Sequence, residues 1–331
     1  MREDLLRVLA CPKDGSDLEI RAPRRVDGEI ESGTLVCERS HEFPILRYIP
    51  RFVPSDYYVR SFSMEWLIHK STQYDSSTGE PNTLNSFNLK TGFSRKQLEG
   101  RLVLDAGCGS GRFMEVARDL GATVVGLDLS NAVDAARQMV GYKEGTHLVQ
   151  GDILNPPFKP SSFDLVYSIG VLHHTENTKK GFMSLCPLLK RGGTIAIWVY
   201  PDGGATFKVM NLVGQIHRKG ASIMTLDALY RVCKGMAALP VPKAMLDGPD
   251  RDPTKTAAKG YRSPRQFVFL VFPFYSLAPS YDWRVLDTFD YLAPRYQSKH
   301  TWGEIGSWFR QAGLTEVKPL QIAVSFSGRR P

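Results

Sequence analysis

Asp105, Gly107, Gly109 and Gly111 stand at alternate positions along one short stretch, directly ahead of the helical pattern Phe113, Val116, Ala117 and Leu120. Glycines at that spacing let the backbone come close to a ligand, and a helix starting just behind them offers free N–H groups and the positive end of its dipole. Such a turn suits the nucleotide or the carboxylate of a cofactor. In a dinucleotide-binding turn the third glycine would fall at position 112, which is Arg112, so the pattern disfavours hydride chemistry. Asp128 ends the next apolar run, where a carboxylate can accept from both hydroxyls of a ribose. Asp152, after Gly151, can accept from the amino group of an adenine.

Groups able to hold or take a proton gather further along. His173 and His174 follow an apolar run, Tyr200 ends another, and Asp290, Tyr291, Tyr296 and His300 cluster before the last helical pattern. They are the candidates for a base or for positioning an acceptor, His173, His174, Tyr200, Tyr291, Tyr296 and His300 first among them. Adjacent histidines point different ways, so at most one of the pair is expected to face a reaction centre. Cys108, inside the turn, reads as structural.

These side chains need a scaffold, and periodicity supplies its outline. Strands are expected over 101–106, 123–127, 147–149, 163–172 and 194–200. Helices follow the glycine turn, run from a cap at Ser130 through Val140 with Gly141 as the stop, and end before Gly192-Gly193. Alternation of this kind means a parallel sheet with right-handed crossovers and a ligand beyond the carboxyl ends of the strands. Thr301 and Glu304 open a last helix over 301–312 that Gly313 ends, and two further strands are expected near 315–319 and 322–327.

Leu104-Asp-Ala-Gly-Cys-Gly-Ser-Gly-Arg-Phe113, Gly126-Leu-Asp-Leu-Ser130, Gly151-Asp-Ile153, Phe163-Asp-Leu-Val-Tyr-Ser-Ile-Gly-Val-Leu-His-His-Thr175 and Arg191-Gly-Gly193 occur in this order. They resemble the successive motifs of class I S-adenosylmethionine-dependent methyltransferases of the type 11 and type 25 kind. The resemblance implies an α/β, Rossmann-like sheet of seven strands with helices on both faces, completed by the C-terminal strands. It implies S-adenosylmethionine as cofactor and S-adenosylhomocysteine as product. Carried over by position, Asp105, Ala106, Gly107 and Gly109 would face the methionine and ribose portions, and Asp128 with Leu129 the ribose hydroxyls. Asp152 with Ile153 would face the adenine, while Ser168, Ile169 and Gly170 would line the floor beneath the sulfonium.

Residues 1–60 read as a separate small module. Cys11-Pro-Lys-Asp14 and Cys37-x-x-x-His41, with Phe43-Pro-Ile45 and Ile49-Pro50 behind them, resemble the zinc-ribbon that precedes some methyltransferase domains, a ribosomal-RNA guanine methyltransferase family included. The ribbon pattern has a second cysteine where this chain has Asp14. Zinc accepts a carboxylate oxygen, so a tetrahedral site of Cys11, Asp14, Cys37 and His41 stays open, but the replacement favours a ribbon that keeps its fold without stoichiometric metal. So small a module must dock against the main domain to hold together.

The chain has 331 residues, 42% hydrophobic and 23% charged, which excludes disorder, collagen and coiled coil as whole-chain readings. Five cysteines are too few, and odd in number, for a disulfide scaffold. The apolar run 267–277 is about half the ~20 residues a membrane helix needs, and Arg2, Glu3 and Asp4 do not open a signal peptide, so a cytoplasmic protein without a membrane span is expected. The net charge of +8 sits wholly in 201–331, where 18 basic residues face 10 acidic ones. It would suit nucleic acid, an acidic small molecule or an anionic surface, and suits a solvated helical surface as well.

Beyond 1–60, residues 61–100 read as a linker or cofactor-covering segment whose aromatic residues are expected chiefly to pack. Residues 101–200 form the cofactor-binding core, 201–300 a helical substrate cap, and 301–331 the completion of the sheet. The cap is expected to hold helices around 207–217 and 225–237, a Pro/Gly/Asp-rich break at 240–264, the apolar run and an aromatic cluster reaching Tyr296. Neither an asparagine-proline-proline-aromatic signature for amino-group methylation nor a cysteine pair for C5 methylation of RNA is evident. The expected function is methyl transfer to a small-molecule acceptor by a monomer or homodimer. The alternatives are a tRNA or rRNA methyltransferase, which the ribbon-like module and the basic C-terminal block support, and a non-catalytic scaffold that binds the cofactor.

Overall fold

The computed structural model describes residues 1–53, 60–202, 205–239, 278 and 280–331, with only the backbone described over 205–211. The chain forms two compact units, Met1–Tyr200 with Tyr296–Pro331, and Pro201–Arg295. The first opens with an antiparallel meander of β1 (Leu18–Val26), β2 (Glu29–Cys37), β3 (Glu42–Leu46) and β4 (Ile49–Pro50). Four helices follow: α1 (Arg60–Ile68), α2 (Asp75–Thr78), α3 (Asn82–Thr91) and α4 (Arg95–Leu98).

The alternating part then runs β5 (Leu102–Ala106), α5 (Arg112–Asp119), β6 (Thr123–Asp128), α6 (Ala132–Ala136), β7 (Thr146–Gln150), β8 (Phe163–Ile169), α7 (Thr178–Leu185) and β9 (Leu189–Trp198). The second unit holds α8 (Ala205–Ala221), α9 (Leu226–Ala237) and α10 (Tyr281–Leu292). The chain closes in the first unit with α11 (Trp302–Gln311), β10 (Thr315–Pro319) and β11 (Ser325–Arg329). The expected Pro/Gly/Asp-rich break at 240–264 and the apolar run 267–277 lie outside the described residues. Among the described residues no helix is long and apolar enough to cross a membrane.

The seven strands pair in the order β10-β11-β9-β8-β5-β6-β7, the seven-stranded, Rossmann-like arrangement expected. The pairs β5/β6, β6/β7, β5/β8 and β8/β9 are parallel, and β11 runs antiparallel to both of its neighbours. From β5 the chain moves outward through β6 and β7, then returns across the sheet to β8. The reversal leaves a crevice beyond the carboxyl ends of β5 and β8, where ligands bind in such sheets.

Successive residues of a strand face opposite sides, and the two faces bury different partners. Leu104, Val125, Val166 and Ile195 pack with Phe182 of α7 and Phe309 of α11. Val103, Val124, Leu165 and Ala196 pack with Phe87 of α3, Phe113 of α5 and Val133 of α6. Leu5, Leu9, Leu35 and Ile45 of the N-terminal module belong to the first of these clusters, so the module shares the core of the sheet it sits on. It also meets the sheet edge: Arg51 bridges in parallel to Gln150, and the Phe52 N–H donates to the Gln150 carbonyl at 2.8 Å.

Several boundaries differ from expectation. Gly192 and Gly193 do not precede β9 but lie inside it, because α7 stops at Leu185 and a single turn over Cys186–Leu188 leads straight into the strand. Register breaks there, from Phe163↔Leu189 to Leu165↔Thr194, and a Cβ on Gly193 would lie 2.8 Å from the Asp164 carbonyl oxygen. The glycines serve a close approach between strands. The helix expected from Ser130 to Val140 is α6 only over Ala132–Ala136, followed by a wider turn over Arg137–Gly141, while the Ser130 hydroxyl donates to Asp128 Oδ1 and accepts from the Ala132 N–H. β8 ends at Ile169, where Gly170 takes a φ of +78°, and β11 starts at Ser325 rather than 322.

Candidate functional site

The glycine turn is held to the sheet by the N–H groups of Gly107 and Cys108, which both donate to the Leu127 carbonyl at 2.7 and 3.0 Å. Gly107 has a φ of +93°, and a Cβ there would fall 2.4 Å from the side chain of Val171. Both the left-handed backbone and the crowding require glycine. Gly109, with a φ of +53°, donates its N–H to Asp128 Oδ2 at 2.9 Å, while Asp128 Oδ1 accepts from the Ser130 N–H at 2.9 Å and hydroxyl at 2.7 Å. Three protein donors therefore fix the carboxylate at the end of β6. Burial raises its pKa, and those same donors pull it back down.

Asp105 lies deeper. It is fully buried, accepts from the Tyr167 hydroxyl at 3.1 Å, and burial, with the nearby charge of Asp128, pushes its pKa up to about 8. Ser168, also buried, donates to the Ala106 carbonyl at 2.7 Å and ties the floor of the crevice to β5. The Leu129 carbonyl accepts from Gln150 at 3.1 Å. Asp152 is half-buried past β7, caps the Leu154 N–H at 2.8 Å and has its pKa raised by burial, with Ile153 buried beside it. Ile169 is buried and Gly170 faces the ring of Trp198, 3.2 Å from where a Cβ would stand.

Residues of the segment 61–100 lie against the glycine turn and the residues after β6. The indole of Trp66 lies 3.2 Å from the position a Cβ on Gly109 would take, and the buried Tyr74 donates its hydroxyl to the Ser110 carbonyl at 2.5 Å. Ser63 of α1 accepts from the Asn131 N–H at 3.0 Å. The sequence signal was the run of aromatic residues in a polar context, which by itself does not tell a covering segment from a bridge between domains.

The proton-handling candidates divide. His173, His174, Tyr200, Tyr296 and His300 belong to the first unit, whereas Asp290 and Tyr291 lie on α10 in the second, where the Tyr291 ring stands 5.3 Å from the Arg218 guanidinium. His173 is fully buried and stacks on Tyr200, ring centres 3.8 Å apart. Neither of its ring nitrogens has a hydrogen-bond partner among the described residues. Burial first, and then the neighbouring His174, His300, Lys90 and Lys299, hold its pKa well below the usual value. His174 Nδ1 is 2.9 Å from the Tyr296 carbonyl oxygen, which can only accept, so Nδ1 carries the proton; Phe62 of α1 meets its ring edge-on at 5.4 Å. His300 Nε2 is hydrogen-bonded with the hydroxyls of Ser298 and Thr178 at 2.9 and 3.1 Å, and Nδ1 lies 3.1 Å from Glu304 Oε2.

A second group of side chains with binding chemistry sits in the N-terminal module. One ligand atom from each of Cys11, Asp14, Cys37 and His41 lies within 4.8 Å of all the others. Two tight turns present them, one closed by the Gly15 N–H to the Cys11 carbonyl at 2.8 Å, the other by the Ser40 N–H to the Cys37 carbonyl at 2.8 Å.

The family model described as a methyltransferase domain matches residues 104–197. The chain is 34% identical over 110 residues to a sterol 24-C-methyltransferase of Saccharomyces cerevisiae, covering 31% of this chain and 29% of that one. It is 32% identical over 120 residues to a ubiquinone biosynthesis O-methyltransferase of Paraburkholderia phymatum, covering 35% and 50%. To a tRNA U34 carboxymethyltransferase of Proteus mirabilis it is 36% identical over 105 residues, covering 30% and 32%. The chain thus spans half or less of the length of each of these relatives.

Proposed function

We propose that this chain, whose residues 104–197 form an S-adenosylmethionine-dependent methyltransferase domain, methylates a small-molecule acceptor held against His173 and Tyr200. The observation that carries this reading is the buried imidazole of His173, four residues beyond the carboxyl end of β8, with neither nitrogen hydrogen-bonded among the described residues. A neutral imidazole has one donor and one acceptor, and leaving each unpaired in a buried place costs about 1–3 kcal/mol. That cost is recovered when a ligand supplies the partner.

The glycine turn and Asp128 offer the left-handed backbone and the carboxylate that would hold the methionine and ribose portions, with Asp152 and Ile153 for the adenine and Ser168, Ile169 and Gly170 beneath the sulfonium. When bound, the cofactor supplies an electrophilic methyl group. The chain's own residues align the acceptor and exclude water, which is most of what an in-line displacement requires. His173, kept neutral by burial, offers one ring nitrogen to accept a hydrogen bond from an acceptor hydroxyl and so to orient it at neutral pH. Trp66 and Phe62 supply aromatic cover from α1.

Residues 201–295 are assigned to acceptor choice. They leave the first unit at Tyr200, which stacks on His173, and rejoin it at Tyr296, whose carbonyl accepts from His174. Aromatic walls around one buried imidazole favour an acceptor of few atoms over a folded RNA. Labelled methyl transfer from S-adenosylmethionine, assayed against small-molecule extracts and against RNA over a range of salt, tests this. Label appearing in a small product, little affected by salt, is expected; label found only in RNA, lost steeply as salt rises, would overturn it.

A further inference from the structure

We propose that Cys11, Asp14, Cys37 and His41 bind one zinc ion with Asp14 as its oxygen ligand, and that this metal braces the loop 152–158. The second half rests in part on the reading above, which assigns Asp152 to the adenine. Asp14 in place of a cysteine, taken alone, favours a ribbon without stoichiometric metal. The geometry points the other way.

His41 Nδ1 lies 3.5 Å from Cys11 Sγ, 3.3 Å from Cys37 Sγ and 3.1 Å from Asp14 Oδ2, and Cys37 Sγ lies 3.6 Å from the same Oδ2. One ring nitrogen has either one proton or one lone pair, so it cannot satisfy three neighbours at these distances. A tetrahedral cation at their centre can. With zinc–sulfur bonds near 2.3 Å and zinc–nitrogen or –oxygen bonds near 2.0–2.2 Å, the edges of the tetrahedron are about 3.3–3.8 Å, close to these four distances, while the whole set of ligand atoms lies within 4.8 Å.

The carboxylate is also oriented as a ligand. Asp14 Oδ1 is occupied by the Ser16 N–H at 3.0 Å and hydroxyl at 2.5 Å, which turns Oδ2 towards the cluster. Such outer partners fix the direction of metal ligands. The His41 N–H donates to Cys37 Sγ at 3.3 Å, which suits a sulfur carrying negative charge.

The same turn touches the cofactor half of the first unit. The Pro12 carbonyl, next to Cys11, accepts from Asn155 at 2.7 Å, and the Ala10 N–H donates to the Pro157 carbonyl at 3.0 Å. Leu9 bridges to Phe158, and the Lys159 N–H donates to the Val8 carbonyl at 2.8 Å. Loop 152–158 is therefore stitched to the residues that carry the first ligand turn, and loss of the metal would release both.

The full chain, purified from zinc-supplemented medium with a thiol reductant, should hold one zinc per chain. Cobalt in its place should give the intense visible bands of a tetrahedral thiolate site, and Asp14→Ala and Cys37→Ser should each lose the metal. Substoichiometric zinc, or a weak octahedral cobalt spectrum, overturns the site. Because a ligand variant can simply misfold, the brace is tested by chelation: amides of 152–158 should exchange hydrogen roughly tenfold faster without zinc and recover when it is restored, while those of β5 stay unchanged. Asn155→Ala should keep its zinc yet show part of that faster exchange. Equal exchange with and without zinc overturns the brace. Affinity for S-adenosylmethionine should fall several-fold in the zinc-free protein. If neither form binds it, the methyltransferase reading fails, and zinc content and exchange still decide this proposal.

Discussion

The Gly109 N–H donates to Asp128 Oδ2 across 2.9 Å, so the carboxylate at the end of β6 is also the clasp of the glycine turn. The residue proposed to meet the ribose thereby fixes the loop proposed to meet the methionine. The two functions are not separable by deleting the side chain, but they are by the choice of replacement.

Asp128→Asn keeps an oxygen for one backbone donor and loses the charge. Calorimetry is expected to show S-adenosylmethionine binding weakened by about 1.5–3 kcal/mol, the range for a hydrogen bond to a charged group, roughly 10- to 100-fold. Asp128→Ala should lose more and also lower the unfolding midpoint. Unchanged affinity in both variants would remove Asp128 from the cofactor site.

Gly107→Ala combines two penalties. A left-handed backbone at a non-glycine residue costs about 1–3 kcal/mol, and the new Cβ would lie 2.4 Å from Val171. Chemical denaturation should report a loss larger than the backbone term alone, and Val171→Ala in the Gly107→Ala background should recover part of it. No recovery would mean that the backbone, not the contact, sets the cost.

Asp105 gives stability a pH dependence of known sign. Its folded-state pKa is about 8, while in an unfolded chain the group ionises near 4. Between those values the folded state holds the extra proton, so stability falls as pH rises, by at most about 1.4 kcal/mol per pH unit, and levels off above the folded pKa. Denaturant midpoints across this range should slope less in Asp105→Asn than in the parent, with the variant gaining most at the alkaline end. Parallel slopes would show that Asp105 does not titrate in this window.

His173→Gln should lower kcat by about 10²-fold if the imidazole orients the acceptor hydroxyl, with affinity for S-adenosylmethionine little changed. His174→Ala, which removes the hydrogen bond to the Tyr296 carbonyl, should be the milder change. Because the His173 pKa lies well below the usual value, the parent's rate should not fall at the pH where a free imidazole protonates. A rate limb near pH 6.5 that vanishes in His173→Gln would contradict a buried neutral imidazole.

Much of this was legible in one dimension. The strand, glycine turn and helix from Leu102 to Asp119 follow from short-range rules: apolar runs at the strand period, left-handed positions only glycine fills, and a helix with an apolar stripe. Asp128 and Asp152 could be located by counting, because the first is the last residue of β6 and the second lies two residues past β7, both at the carboxyl ends of parallel strands.

What the sequence could not determine depends on contacts between residues far apart in the chain. Periodicity gave no means to separate His173, buried against Tyr200, from His174, bonded to the Tyr296 carbonyl 122 residues away, since adjacent residues share one local pattern. Nor could it bury Asp105 beneath Tyr167, 62 residues on, and so raise its pKa. Gly192-Gly193 carries the local signature of a strand start, and only the approach of the Asp164 carbonyl makes it a break inside β9. The spacing of Cys11, Asp14, Cys37 and His41 named the four side chains. Whether their atoms converge was decided by the antiparallel pairing of β1 with β2, which sets Leu18 opposite Cys37 and so brings the two turns face to face.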